Sequence, residues 1–417
     1  LRRGTIAQKA STGIAISGPD AGNYSLSGNS ISSTTASITP RPVTLSATRA
    51  YDGTNAIADS VVTVSNLVTG ENLALAGAGS VANVNALATP QALTLGTLAL
   101  SDGTGAGAGL ASNYMLAGSG HDATITRRAV TVTADSFTRA YGDANPALTH
   151  AAQAQSGASG LLGGESLVGG VTTAATQASN VGGHAITQGS LTDANNPNYA
   201  IAFTPGTLTI TQRLLTLTGT RHYDSTTGIA AGALTIGNLY NGQTLSLSGA
   251  GSVASPNASA TPQALSTGGL TLGNGSGGSA GLASNYAFAL SGHAATITPR
   301  PVNLSGSRNY DGTTTVASGD LAVTGLVGSE TLSLSGTGSV ASPNAGPGQS
   351  VGTGTLALGN GSGGSAGLAS NYTMTGGTAS LAILPRPVAV TADPQSRVYG
   401  DPNPTLTYTA QAQTGTS

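Results

Sequence analysis

The chain has 417 residues, a net charge of −2 and 7% charged residues, against roughly 25% in an average soluble domain. A chain of this length is expected to contain several domains, and its small number of basic residues, 14 Lys and Arg, argues against nucleic-acid binding. Cysteine is absent, which excludes disulfides and thiolate metal ligands, and Lys9 is the sole lysine. No stretch approaches the ~18 apolar residues of a membrane helix, and no apolar signal core follows Leu1–Thr5, so neither membrane insertion nor a targeting peptide is predicted.

Three short motifs recur in register along the chain and indicate a tandem array. A boundary motif of the form Ile-x-x-Arg begins about every 86 residues, at Ile38, Ile125, Ile210, Ile297 and Ile383. An Asn-Tyr pair precedes each boundary, and its tyrosines are Tyr24, Tyr114, Tyr199, Tyr286 and Tyr372. A second tyrosine motif follows each boundary, with the residues Tyr51-Asp52-Gly53, Tyr141-Gly142-Asp143, Tyr223-Asp224-Ser225, Tyr310-Asp311-Gly312 and Tyr399-Gly400-Asp401.

The order of Asp and Gly in this second motif separates two kinds of repeat. A period of about 86 residues exceeds an ordinary solenoid turn and matches a small domain, so each repeat is predicted to have its own core. The chain then reads as a segment of a longer array with these predicted boundaries: 1–39 the end of a repeat, 40–126 Tyr-Asp-Gly type, 127–211 Tyr-Gly-Asp type, 212–298 and 299–384 Tyr-Asp-Gly type, and 385–417 the start of a Tyr-Gly-Asp type.

The repeats are predicted to be mostly β. Apolar residues alternate with threonine in Leu208–Thr211, Ala129–Thr133, Leu215–Thr218 and Val388–Thr391, which is the period of a half-buried strand. A short helical turn is expected near Leu161–Leu167. Boundaries such as Thr298-Pro299-Arg300-Pro301-Val302 have no Gly/Ser linker, and proline favours extended geometry, so stiff junctions and a rod-like array are predicted.

The recurring residues are interpreted as structural. The tyrosine before Asp-Gly is expected to anchor a core poor in aromatics, with Asp and Gly forming the turn behind it. In the Asn-Tyr pair, Asn is expected to start a turn or pair with the backbone and Tyr to open a closing hairpin. Glu71, Glu165 and Glu330 share one sequence context in which Gln243 stands in a fourth repeat, so a capping or turn role is expected instead of acid–base catalysis.

No residue set predicts a catalytic, metal or cofactor site. The five histidines show no ligand spacing, and the 13 aspartates form no calcium loop of the Asp-x-Asp-x-Asp-Gly type. The glycine-rich segment 272–281 lacks the lysine of a phosphate loop. Glycosylation sequons occur at Asn23, Asn257 and Asn371, as chance produces in a chain rich in Ser and Thr.

Taken together, these motifs resemble the YDG and MBG repeats of very large bacterial surface adhesins of the filamentous-haemagglutinin kind. The resemblance covers essentially the whole chain and implies β-grasp-like repeats, or else small sandwiches. It further implies a two-partner secretion route through an outer-membrane pore, and an extracellular or cell-surface location in adhesion or biofilm. It carries over no binding or catalytic residue.

The sequence bears on three possible functions. The first is a structural stalk or filament that projects a binding tip, because near-copies such as 272–286 and 358–372 leave little room for a unique site. The second is a binding module that presents threonine-rich strand faces to carbohydrate or to another surface. The third, an enzyme, lacks an acid–base cluster confined to one repeat. Neighbouring copies are expected partners through lateral pairing of exposed β edges, since lysine is almost absent, and the receptor is left open.

Overall fold

The computed structural model describes residues 17–25 and 38–412. The predicted partial repeat 1–39 therefore lies largely outside the described residues. The fold is mostly β, with 45% strand, and no helix in the described ranges reaches seven residues. The chain divides into two compact units, residues 1–139 with 143–210 and residues 140–142 with 211–417.

Residues 40–126 form short strands around one sheet. The first strand pairs antiparallel with the third and parallel with the eighth and ninth. The strands are β1 Arg41–Ala50, β2 Ala56–Ala58, β3 Val62–Ser65, β4 Leu73–Ala76, β5 Ala78–Ser80, β6 Gln91–Ala92, β7 Ala99–Asp102, β8 Tyr114–Leu116 and β9 Asp122–Thr126.

Residues 127–211 place a buried strand between an antiparallel and a parallel neighbour. The first strand of this repeat pairs with its third and sixth strands. The strands are β10 Arg128–Ala134, β11 Phe137–Ala140, β12 His150–Ala152, β13 Thr172–Thr173, β14 Gly182–Thr187, β15 Tyr199–Thr204 and β16 Gly206–Thr211.

Residues 212–298 repeat the pairings of 40–126. The first strand is again antiparallel to the third and parallel to the last two. The strands are β17 Arg213–His222, β18 Gly228–Ala230, β19 Leu234–Gly237, β20 Leu245–Ser252, β21 Gln263–Ala264, β22 Leu270–Asn274, β23 Tyr286–Phe288 and β24 Ala294–Thr298.

Residues 299–384 show the same arrangement with the first strand split in two, and 385–412 add one antiparallel pair. The strands are β25 Arg300–Pro301, β26 Asn303–Asn309, β27 Thr315–Ala317, β28 Leu321–Thr324, β29 Leu332–Ser335, β30 Thr337–Val340, β31 Gly346–Gly352, β32 Ala357–Asn360, β33 Tyr372–Thr373, β34 Ala379–Leu384, β35 Val390–Ala392 and β36 Tyr408–Ala410.

The remaining regular structure consists of single 3₁₀ turns. Four of them end at the asparagine of an Asn-Tyr pair, and in three of these four the tyrosine begins a strand. The turns are Ala21–Asn23, Asp59–Val61, Ala111–Asn113, Ala231–Ala233, Tyr240–Gly242, Ala283–Asn285, Ser318–Asp320, Gly363–Ser365 and Ala369–Asn371. Along the described part of the chain, no helix is long and apolar enough to cross a bilayer.

The predicted alternation of buried and exposed side chains is confirmed in β10. In β10, Val130 and Val132 are buried while Thr131 and Thr133 are exposed. The strand predicted at Val388–Thr391 is present only from Val390, and its side chains are exposed. The expectation of a helical turn at Leu161–Leu167 is wrong. This segment is irregular and is held by turns and an isolated bridge at Leu161, because Leu161 and Leu162 pack against the hydrophobic core.

The expectation that an Asn-Tyr tyrosine opens a closing hairpin is wrong. The strand that begins at Tyr114 pairs parallel with β1, in the register Arg41 to Tyr114. The same register joins Arg213 to Tyr286 and Arg300 to Tyr372. A parallel partner requires a long crossover connection, so the first and last strands of a repeat lie side by side.

Hydrophobic cores are shared between successive repeats, which corrects the expectation of a separate core in each. One buried cluster in the first unit joins Leu45 and Ile125 of one repeat to Val130 and Tyr199 of the next. Another in the second unit joins Leu217 and Ile297 to Val302 and Tyr372. A third cluster lies entirely within 304–383. The strand pairings reported above stay within each repeat, so it is side chains that cross the boundary.

Candidate functional site

The Tyr-Asp-Gly motif forms a rigid turn that fixes the direction of its tyrosine. Asp52 Oδ1 accepts hydrogen bonds from the Thr54 N–H at 2.9 Å and from the Thr54 hydroxyl at 2.8 Å. Gly53 has φ +79°, a conformation in which glycine is unstrained. The Tyr51 N–H donates to the Thr126 carbonyl at 2.9 Å, which ties the turn to the last strand of its repeat.

The turn is copied in the other Tyr-Asp repeats. Asp224 accepts the Thr226 N–H and Asp311 the Thr313 N–H, each at 2.9 Å. The Thr313 N–H bond is the main reason why the pKa of Asp311 lies below its usual range. The expectation that Asp makes a turn behind the tyrosine is confirmed in these copies.

In the first unit, the tyrosine of one repeat reaches the acidic residue of the next. The Tyr51 hydroxyl donates to Glu165 Oε1 at 2.8 Å, and the Tyr199 hydroxyl donates to Glu165 Oε2 at 2.5 Å. The two rings meet edge to face with centroids 5.9 Å apart, and the Leu162 N–H donates to the Tyr199 oxygen. Both carboxylate oxygens of Glu165 are therefore occupied by motif tyrosines.

The second unit contains the same arrangement at the boundary between 212–298 and 299–384. The hydroxyls of Tyr223 and Tyr372 donate to the two oxygens of Glu330, each at 2.7 Å. Their rings are 5.4 Å apart at 77°, and the Val327 N–H donates to the Tyr372 oxygen at 3.0 Å. The same set of contacts is therefore made at Glu330 as at Glu165.

A third copy, also within the second unit, uses an amide in place of the carboxylate. Tyr286 donates to Gln243 Oε1 at 2.5 Å, and Gln243 Nε2 donates to the Tyr141 oxygen at 3.0 Å. The Tyr141 ring packs edge to face against both Tyr286 and Tyr240, at 5.4 Å in each case. Glutamine substitutes because it can accept from one hydroxyl and donate to the other.

The asparagine of the Asn-Tyr pair adds a second link across the boundary. Asn198 accepts the Ala86 N–H at 3.0 Å and donates to the Asn85 side chain at 2.9 Å. Asn371 makes the equivalent bonds to Ala258 and Asn257. The expected pairing of Asn with the backbone is confirmed, and it joins two repeats. The sequons at Asn257 and Asn371 thus place their amides in these bonds.

The boundary arginine completes the junction and was missed from the sequence. Arg128 is buried and donates to the carbonyls of Gly157, Ser159, Gly160 and Tyr51. A guanidinium has five donors and no acceptor, so it can satisfy several loop carbonyls at once. The signal was present, since Arg closes every Ile-x-x-Arg motif, but that spacing alone names no partner.

Burial raises the pKa values of the tyrosines that bind Glu165 and Glu330. Loss of solvent around the hydroxyl is the largest cause for Tyr199 and Tyr372, and the Glu165 and Glu330 carboxylates add to it, so that each pKa is raised to about 12. The same causes raise the pKa of Tyr51 and Tyr223 above the ordinary value. These hydroxyls therefore remain protonated donors across the physiological pH range.

The motif residues do not all occupy equivalent positions. Seven of the ten motif tyrosines are buried: Tyr51, Tyr114, Tyr141, Tyr199, Tyr223, Tyr286 and Tyr372. Three are exposed, namely Tyr24, Tyr310 and Tyr399. The accompanying turn residues are exposed or half-buried, namely Asp52, Gly53, Gly142, Asp143, Asp224, Asp311, Gly312, Gly400 and Asp401.

Of the capping or turn role expected for Glu71, Glu165 and Glu330, the turn is present, since the N–H of each donates to the carbonyl three residues earlier. Their side chains do not cap: each carboxylate accepts a hydrogen bond from the hydroxyl of an Asn-Tyr tyrosine. Two histidines are also structural: His121 and His293 are buried, and each bridges a strand N–H and a loop carbonyl. Among the described residues, no group of three or more His, Cys, Asp or Glu could hold a metal ion.

Comparison with protein families agrees with these repeats. Residues 34–123 and 293–380 match the YDG domain, and residues 130–209 match the MBG domain (YGX type). No curated protein matches the sequence. The two tyrosine motifs, Tyr-Asp-Gly and Tyr-Gly-Asp, lie within the matched ranges of the corresponding domains. The chain therefore contains YDG and MBG domains arranged in tandem.

Proposed function

We propose that the chain is a structural stalk segment of a secreted bacterial adhesin, in which tyrosine junctions couple successive repeats. The observation that carries the proposal is the meeting of two motif tyrosines on one Glu or Gln, three times in register. The tyrosines that recur most regularly in the sequence therefore connect successive repeats. A segment that transmits force or sets distance needs such connections, whereas a ligand site needs open functional groups.

The junction chemistry suits a load-bearing connection. Each junction combines a buried aromatic pair, two hydroxyl bonds to one acceptor and, at two boundaries, an asparagine link. Bonds to a charged acceptor are stronger than neutral ones, and edge-to-face rings add about 0.5–1.5 kcal/mol beyond their buried area. We infer that bending between coupled repeats is restricted and that the array is rod-like.

Small-angle scattering from the intact chain tests the stalk proposal. We expect a rod-like profile, and the double variant Glu165→Ala with Glu330→Ala should shift it toward a flexible chain. The matched variant Glu165→Gln with Glu330→Gln should keep the rod, since Gln243 fills this position naturally. A coil-like profile of the unmodified chain would contradict the proposal.

The extracellular location, the outer-membrane secretion pore and the non-catalytic role are part of the same proposal. They are supported by the resemblance of the repeats to those of surface adhesins and by the use of the motif carboxylates as hydrogen-bond acceptors for tyrosine. Antibodies raised against the purified chain should label intact cells of the source bacterium. Labelling confined to permeabilised cells would contradict the proposed location.

The alternative is a binding module that uses threonine-rich strand faces. Thr131 and Thr133 are exposed on β10 and, with Ala151, Ala152 and Gln153, line a shallow open groove. Carbohydrate sites usually add an aromatic platform, and none of the residues lining this groove is aromatic. A glycan array probed with the chain decides between the functions, because saturable binding lost in Thr131→Val with Thr133→Val would favour the module.

A further inference from the structure

At each of the three junctions, one residue lies three positions before the shared acceptor Glu165, Gln243 or Glu330. We call these residues the selectors, and in the same order they are Leu162, Tyr240 and Val327. The backbone N–H of every selector donates to the hydroxyl oxygen of the Asn-Tyr tyrosine, at 3.2, 3.3 and 3.0 Å respectively. The main chain of the selector therefore makes the same bond at each junction, which leaves its side chain free to vary.

The selector side chains lie beside the tyrosine turn of the preceding repeat. The Tyr240 ring packs edge to face against Tyr141, the motif tyrosine of that turn, with ring centroids 5.4 Å apart. The two aliphatic selectors, Leu162 and Val327, lie in or against the buried clusters that contain the turn tyrosines of their own junctions. Each selector therefore packs close to the turn that its junction receives.

The kind of selector side chain corresponds to the form of the turn. The aromatic selector meets the turn Tyr141-Gly142-Asp143 of repeat 127–211, which is of the Tyr-Gly-Asp type. The aliphatic selectors meet the turns Tyr51-Asp52-Gly53 and Tyr223-Asp224-Ser225, both from repeats of the Tyr-Asp-Gly type. In those two turns the second residue carries a Cβ, whereas in the first it does not. The aromatic ring thus occurs at the junction whose turn has no side chain at its second residue.

Close packing at Gly142 gives the physical reason for this correspondence. A Cβ added to Gly142 would lie 2.5 Å from Cδ2, 2.7 Å from Cγ and 3.0 Å from Cβ of Tyr240. Because these atoms lie at the base of the side chain, the whole ring would have to move. An aliphatic selector is shorter: a Cβ added to Gly53 would meet Leu162 at an ordinary 3.5 Å. Conversely, a turn without the second side chain would leave a cavity beside an aliphatic selector, and cavities are destabilising.

We propose that the selector determines which form of tyrosine turn, and therefore which type of repeat, can precede it in the array. An aromatic selector accepts a Tyr-Gly-Asp turn, and an aliphatic selector accepts a Tyr-Asp-Gly turn. Specificity of this kind combines a clash with the wrong partner and close packing with the right one. Near-copied repeats otherwise offer interchangeable acceptors, and misassembly between repeats is a characteristic failure of such proteins. This selection rests on the junctions that connect the proposed stalk, and it names the neighbour that each junction accepts.

A double-mutant cycle at Gly142 and Tyr240 in the intact chain tests the proposal. Urea denaturation gives the equilibrium constant for unfolding of the second unit in Gly142→Ala, in Tyr240→Val and in the double variant. We expect Gly142→Ala to raise this constant about tenfold more when Tyr240 is present than when valine replaces it, because the ring adds a clash to the backbone strain. Tyr240→Phe keeps the ring and should leave the cost of Gly142→Ala unchanged. Additive effects of Gly142→Ala and Tyr240→Val would overturn the proposal.

The reciprocal exchange decides the question if Gly142→Ala prevents folding, which circular dichroism reveals. Val327→Tyr should raise the unfolding constant of the second unit, whereas the control Val327→Leu, which introduces the residue found at Leu162, should be tolerated. Asp224→Gly removes the second side chain of the turn and should cost less in the Val327→Tyr chain than in the unmodified chain. Equal costs in the two chains would overturn the proposal. Coupling in either cycle would support selection whatever the scattering profile shows, and additive effects in a rod-like chain would overturn selection while the stalk function stands.

Discussion

At the scale of single residues, tyrosine is the main source of the aromatic side chains that pack between repeats. Tryptophan is absent and phenylalanine occurs three times, so the tyrosine rings supply most of the aromatic volume. A ring buried between repeats leaves its hydroxyl without water, and an unsatisfied hydroxyl is costly. Glu165, Glu330 and Gln243 meet this need, because each offers polar atoms to two hydroxyls.

Removing the shared acceptor should therefore be much worse than neutralising it. Glu165→Ala leaves the hydroxyls of Tyr51 and Tyr199 without an acceptor and should lower the free energy of unfolding of the first unit by about 2–4 kcal/mol. Glu165→Gln should cost about 1 kcal/mol, since one acceptor and one donor remain. Urea denaturation of both variants checks this, and equal losses would contradict the role of the shared acceptor.

The raised pKa values of Tyr199 and Tyr372 predict a loss of stability in alkali. Each hydroxyl ionises near pH 10 when unfolded and near pH 12 when folded, so the unfolded state loses its proton first. This contribution to stability is complete below pH 10 and disappears as the pH rises from 10 to 12. Denaturant midpoints across this range, with tyrosinate absorbance followed in parallel, measure the effect.

Two tyrosine-to-phenylalanine variants separate the ionisation of Tyr372 from general alkaline unfolding. Tyr372→Phe has no hydroxyl to ionise and should flatten the alkaline slope, while Tyr24→Phe, at an exposed position, should leave it unchanged. Ionisation of Tyr372 near pH 10 in the folded chain would contradict the assignment.

At the scale of elements, the two forms of the tyrosine turn differ in what each position must accommodate. In Tyr141-Gly142-Asp143 the glycine comes second, with φ +84°, and an added Cβ would lie 2.5 Å from the Tyr240 ring. In Tyr51-Asp52-Gly53 the glycine comes third, and a Cβ there would meet Leu162 at an ordinary 3.5 Å. The Tyr-Gly-Asp order thus leaves room for a second aromatic ring against the turn.

Alanine substitutions should reveal this difference. Gly142→Ala combines backbone strain with a clash and should lower the free energy of unfolding by about 2–4 kcal/mol. Gly53→Ala is strained by φ +79° alone and should cost about 1 kcal/mol. Thermal denaturation of both variants measures the gap, and equal shifts would show that the Tyr240 ring moves aside freely.

At the scale of the whole molecule, the unit of stability is larger than the repeat. The first unit has one buried cluster that includes residues of both 40–126 and 127–211, although its strands pair within each repeat. A cluster shared in this way makes unfolding of one repeat expose part of the other. Neighbouring repeats in the first unit should therefore open together.

Hydrogen exchange on Tyr51→Ala tests this cooperativity. Loss of a buried aromatic ring costs about 3–5 kcal/mol, so amide protection should fall in β9 and, equally, in β10 and β15. Tyr24→Ala, at an exposed tyrosine, should leave protection unchanged. A loss confined to residues 43–126 would mean that the repeats are energetically independent.

Some of these features could be read directly from the sequence because they depend on local patterns. Alternation of Val with Thr specified the faces of β10, and Asp-Gly specified the turn at Asp52 and Gly53. The segment Leu161–Leu167 was expected to form a helical turn, yet it is irregular and its leucines pack against residues from elsewhere in the chain. The role of Glu165 escaped because its partner Tyr51 lies 114 residues away.

The sequence by itself determined the repeats, their β character and the places where tyrosine recurs, since these follow from local periodicity and composition. Only the tertiary structure decided that the tyrosine hydroxyl of one repeat binds the Glu or Gln of the next, and that hydrophobic cores are shared across repeat boundaries. The physical reason is that identical motifs offer every tyrosine several equivalent acceptors in the linear chain. Parallel pairing of first and last strands then places one of these acceptors, in the following repeat, within hydrogen-bonding distance.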